Sequence, residues 1–213
     1  MNRSPRSAAF TLIEMITVIA IIIILVSLVL AINGLAQSNA AARRTEAEIR
    51  LLAQACESYK TDNGGYPQDT SVGGSSVTSS LDPRVTFVAS NYVAACSFLY
   101  VQLSGDANAN GVIDNGETAT NYLPDFFKPS RLAGQSNNQT YILDPYGNSY
   151  GYSTAGLLLQ QEYMAALSTN ASATKPTSNS AGTVGYNNTF DLWSTGGTSG
   201  TGTYDTAKWK KNW

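Results

Sequence analysis

The chain contains no histidine. That absence excludes Ser-His-Asp and Cys-His catalysis and every zinc site that needs an imidazole, so the chain is not expected to be an enzyme. Only two cysteines are present, Cys56 and Cys96. They are too few for a four-thiolate metal site and enough for one disulfide, and both readings, a bridge or two small buried thiols, stay open. Charge is sparse as well: 13% of residues are charged and the formal net charge is -2. With no basic stripe, a nucleic-acid partner is not expected. The 213 residues suit one domain with an appendage, and no internal repeat is visible.

What the chain does have is a long apolar run near its start. From Phe10 to Ile32 it reads FTLIEMITVIAIIIILVSLVLAI, with Glu14 as its single charge. At about 1.5 Å per helical residue such a run covers a hydrocarbon layer of about 30 Å, so residues 10–33 are predicted to cross a membrane as a helix. Before it stands MNRSPRSAA, whose Arg3 and Arg6 favour the cytoplasmic side. The small residues Ala8 and Ala9 precede the apolar run, whereas a secretory signal carries them after it. Residues 34–65 continue the helix in amphipathic form. Ile49, Leu51, Leu52, Ala55, Cys56 and Tyr59 form its apolar stripe, and Asn63-Gly64-Gly65-Tyr66-Pro67 stops it. A helix of roughly 54 residues is about 80 Å long, more than a small domain can cover.

Residues 66–213 read as a loop-rich head around a modest sheet. Thr70 to Ser80 and Ser168 to Asn188 are poor in large apolar residues. Ser90 to Leu103 reads as a short helix with Val93, Cys96, Phe98, Leu99 and Leu103 as its core, and Gly156 to Leu167 as another. Tyr141-Ile142-Leu143 and Ser149-Tyr150-Gly151-Tyr152 flank the turn Asp144-Pro145-Tyr146-Gly147-Asn148, and Thr189 to Ser194 reads as a strand.

The junction Ala9-Phe10-Thr11-Leu12-Ile13-Glu14 resembles the type IV prepilin family, including the pseudopilins of type II secretion. The resemblance implies that a leader, residues 1–9, is removed between Ala9 and Phe10. Phe10 then becomes an N-methylated N-terminus, and Glu14 pairs with the Phe10 amine of a neighbouring copy. A carboxylate within a membrane costs roughly 3 kcal/mol on insertion scales, which independently argues that Glu14 needs a partner. A second set of segments is similar to the major pseudopilins: Tyr59 to Pro67, Asp144 to Tyr150, Phe190 to Gly196, and Asn212-Trp213 at the end. What this implies is a pilin-like α+β fold, with a long N-terminal helix packed on a small antiparallel sheet head that carries loop-rich insertions.

The implied partners are copies of itself in a helical homopolymer, minor pseudopilins, an inner-membrane assembly platform, the prepilin peptidase/methyltransferase, and membrane lipid before assembly. The implied place is the bacterial inner membrane, single-pass with the head in the periplasm, and then a periplasmic pseudopilus that drives protein export. A type IV pilus subunit for adhesion, motility or DNA uptake, and a monomeric membrane-anchored calcium-binding module, are the other readings. In that family the final loop supplies acidic calcium ligands. Here only Asp205 falls at such a position.

A separate motif, residues 106–117, satisfies the twelve-residue EF-hand loop pattern at every constrained position: Asp106-Ala-Asn108-Ala-Asn110-Gly111-Val112-Ile113-Asp114-Asn-Gly-Glu117. Asp106, Asn108, Asn110, the Val112 carbonyl, Asp114 and Glu117 are the predicted calcium ligands. Gly111 permits the sharp turn, and Ile113 is expected to point inward. With three carboxylates and two amides the loop should bind more weakly than a cytosolic buffer site.

Overall fold

The computed structural model describes residues 10–70, 76–118, 120, 122–124, 127, 132–136, 139–198 and 205–213, with backbone alone at 29–36, 132–136 and 139. Ala9 and the rest of the leader lie outside the described residues. The chain divides into two compact units, Met1–Ala41 and Ala42–Trp213.

The first unit is built on the start of helix α1, Leu12–Asn63. Thr11 and Glu14 open it with a reciprocal capping box. The Thr11 N–H and hydroxyl donate to Glu14 Oε2 at 2.8 and 2.7 Å, and the Glu14 N–H donates back to Thr11 Oγ1 at 3.3 Å. Every described side chain from Phe10 to Leu28 is exposed, including Leu12, Ile16, Ile19, Ile23 and Leu28.

In the second unit the later part of α1 turns amphipathic and buries Thr45, Glu48, Ile49, Leu52, Ala55 and Cys56, a three-to-four-residue repeat along one face. That face packs in one cluster with Cys96, Leu99 and Leu103 of helix α2, Val93–Ser104, and with Ile142, Tyr150, Tyr152, Phe190 and Leu192. Each fully buried leucine contributes about 1.5–3 kcal/mol. A short 3₁₀ turn, Ala89–Tyr92, leads into α2. Its Tyr92 joins Leu81, Ala89, Ala95, Trp193 and Trp209 in a second cluster. Helix α3, Ala155–Thr169, buries only Ala155, Gly156 and Leu159.

The strands form two small sheets. Strand β1, Leu132–Ser136, pairs antiparallel with β2, Gln139–Ile142. Strands β3, Gly151–Ser153, β4, Asp191–Ser194, and β5, Lys210–Lys211, form an antiparallel sheet in that order. Gly151 is required where β3 faces Trp193, because a Cβ there would lie 2.0 Å from the indole ring. The turn at Asp144 is built as its sequence suggests. Its Oδ1 accepts the N–H groups of Tyr146 and Asn148, and its Oδ2 accepts the buried Ser194 hydroxyl at 2.6 Å.

This architecture corrects the pilin-like expectation. Among the described residues there are four helices and two small sheets in place of a single sheet head, and no helix is long and apolar enough to cross a membrane. The single-pass membrane placement of residues 10–33 falls with it. Across the Asp144 turn the two flanking runs meet at an antiparallel bridge, Leu143 to Ser149, and at the Tyr150 N–H bond to the Ile142 carbonyl, and then enter different sheets.

Candidate functional site

The EF-hand-like loop begins where α2 ends. Gly105 closes α2 in the left-handed region at φ 82°, and its N–H donates to the Val101 carbonyl. The chain returning from the loop takes up the last carbonyls of α2: Thr120 N–H donates to Ser104 O and Leu123 N–H to Leu103 O, each at 2.9 Å. A Cβ on Gly105 would lie 2.0 Å from the Thr118 carbonyl oxygen, so glycine is needed where the two ends of the loop meet.

Inside the loop the six predicted ligand positions share one hydrogen-bonded ring, Val112 through its N–H. Asp106 is fully buried. Its Oδ1 accepts the Asn110 N–H at 3.2 Å, and its Oδ2 accepts the Gly111 N–H and the Tyr100 hydroxyl, both at 2.7 Å. Asn108 Oδ1 accepts the Asn110 N–H, and Asn110 Oδ1 accepts the Val112 N–H. The side-chain amides of Asn108 and Asn110 both donate to Asp114 Oδ2, at 3.0 and 2.7 Å. Glu117 spans the loop, with Oε1 accepting the Asn108 N–H at 3.1 Å and Oε2 the Asp114 N–H at 2.9 Å. Gly111 adopts φ 90°, the sharp turn expected of it.

One expectation does not hold. Ile113 is 37% exposed and so is not the buried anchor expected of it. Among the described residues no group of three or more His, Cys, Asp or Glu side chains is placed to hold a metal ion. The donor set fits calcium in kind, since all its atoms are oxygens. Asp106 and Glu117 are occupied by backbone N–H groups and Asp114 by two side-chain amides, donors that an ion would have to share or displace. Tyr100 was missed from the sequence. Burial raises its hydroxyl pKa above the usual range, and the bond to Asp106 reinforces the shift.

The other candidates are scattered. Phe10 is 74% exposed at the start of α1, and Glu14 Oε2 is engaged by Thr11. The Thr-x-x-Glu spacing was visible in the sequence and could have identified the capping box. Cys56 and Cys96 are both buried and both free. The Cys96 thiol donates to the Ile142 carbonyl at 3.4 Å, and burial pushes its pKa up to about 12. Asp205 caps its own turn, with Oδ1 accepting the Ala207 N–H, and pairs with Lys208 at 3.6 Å. It is not gathered with residues 106–117. The chain matches no family model, no curated protein and no solved structure.

Proposed function

We propose that the chain is a structural subunit that polymerises through the first part of α1, as in a type II secretion pseudopilus. The observation that carries this reading is the exposure of the chain from Phe10 to Leu28, apolar on all sides apart from Glu14 and three hydroxyl residues, Thr11, Thr17 and Ser27. Apolar surface of that extent calls for a cover, and copies of the same helix supply one. In this reading prepilin peptidase cuts between Ala9 and Phe10, and the new amine of Phe10 approaches Glu14 of another copy. Glu14 keeps its bond to Thr11 through Oε2 and offers Oε1 to that amine. Head-to-tail pairing of this kind does not close, so it propagates a filament. Minor pseudopilins and an assembly platform would be its further partners, and a type IV pilus would use the same contacts.

The test is Glu14→Ala, read separately for leader removal and for filament formation. Removal of the leader with loss of filaments is expected, and normal filaments would overturn the pairing. Calcium belongs to this reading as a stabiliser of the loop at residues 106–117. The support is the ring of oxygen donors from Asp106 to Glu117, and the ion would replace hydrogen bonds from Asn108 and Asn110 at Asp114.

A further inference from the structure

We infer that the tip of the 106–117 loop in one copy seats in a groove on the second unit of another, an inference that rests on the filament reading. The groove holds about 530 Å³ and is floored by Ile49, Ala53, Trp209 and Trp213. Its charged rim is basic. Lys210 neutralises Glu46 at 2.7 Å, while exposed Arg50 and Lys211 remain, the latter 5.2 Å above the Trp213 ring.

The loop tip has the opposite character. Val112 is 61% exposed, Ile113 follows it, and Asp114 is exposed beside them. From Val85 to Phe127 the sequence has no lysine or arginine, whereas Asp106, Asp114, Glu117 and Asp125 all fall in that stretch. An apolar tip on an acidic segment thus complements an aromatic floor with a basic rim. Three loop carboxylates against one divalent ion still leave a net negative charge, so the complementarity survives calcium.

One molecule cannot make this contact with itself. The start of the loop, Gly105 and Ala107, lies beside Tyr59 and Asn63, whereas the groove lies beside Glu46 to Ala53. Along α1 the distance from Arg50 to Asn63 is about 20 Å. Each copy therefore offers a tip and a groove at different levels of the same helix, and the contact is head-to-tail, the kind that runs on as a filament where its rotation does not close a ring.

The experiment is mild oxidation of the full chain carrying Arg50→Cys and Val112→Cys, compared with each single variant on a non-reducing gel. A bridge within one chain leaves a monomer on the gel, so only a bridge between copies gives a ladder. Buried Cys56 and Cys96 are withdrawn from reaction. A ladder of covalent multimers from the double variant only is expected. Assembly without a ladder overturns the contact and leaves the filament reading standing. A dimer from Val112→Cys alone also overturns it, because the tips would then face each other. A parent chain that never assembles overturns both. Arg50→Glu should lower the assembled fraction about tenfold, and Val112→Lys in the same chain should restore it.

Discussion

Buried polar side chains carry much of the information at the level of single residues. Glu48 is 1% exposed on α1, where Tyr150 donates to its Oε2 at 2.6 Å and Arg44 pairs with Oε1 at 2.9 Å. Tyr150→Phe removes one donor and leaves a buried carboxylate oxygen less satisfied, so chemical denaturation should show a loss of about 1–3 kcal/mol. Asp191 is held differently. Its two oxygens accept the Tyr186 and Asn187 N–H groups, yet burial dominates and raises its pKa. For a carboxyl raised above its unfolded value, the stabilising contribution is complete below about pH 3.9 and fades as pH rises through the folded-state pKa. Asp191→Asn should therefore flatten the fall in stability above about pH 4, measured by urea unfolding across a pH series, while lowering stability overall by mispairing one N–H.

The loop at residues 106–117 makes its own prediction at the scale of an element. Asp106→Ala is a poor probe of metal binding because Asp106 already holds Gly111, Asn110 and Tyr100 without an ion. Glu117→Gln keeps an acceptor for the loop N–H groups and removes a charge. Calcium at about 100 times its dissociation constant should stabilise the parent by about 2.7 kcal/mol, seen as a rise in Tm, and the Glu117→Gln chain much less. A parent Tm that ignores calcium would exclude the loop as a metal site. Helix α1 shows a different division within one element, since its exposed residues up to Leu28 differ from the later face that buries Ile49, Leu52 and Cys56.

At the scale of the whole molecule, the described core begins at Thr45 and Glu48, so the second unit holds its apolar clusters without the first. A chain starting at Ala42 is expected to fold and to form no filament. Its near-UV circular dichroism should match the parent's, with self-association weakened in sedimentation to what the loop tip and groove supply. Loss of the folded spectrum would show that residues before Ala42 contribute to the core.

Local signals in the chain were enough for the elements whose physics is local. The helix from Leu12 to Asn63, the α2 and α3 helices, the turn at Asp144 and the spacing of Asp106 to Glu117 follow from periodicity, glycine placement and side chains that bond their own backbone. Strand β5 escaped because it is two residues long and pairs only with Trp193 and Ser194 of β4, and β1 because Leu132 to Ser136 reads LAGQS, with no alternation of large apolar residues. Tertiary structure alone decided that Cys56 and Cys96 stay unbonded, that Ile113 faces outward, and that Tyr100 holds the first acid of the loop. Each of these depends on which surfaces meet across many residues, and a hydrophobic pattern specifies that a side is covered without specifying by what.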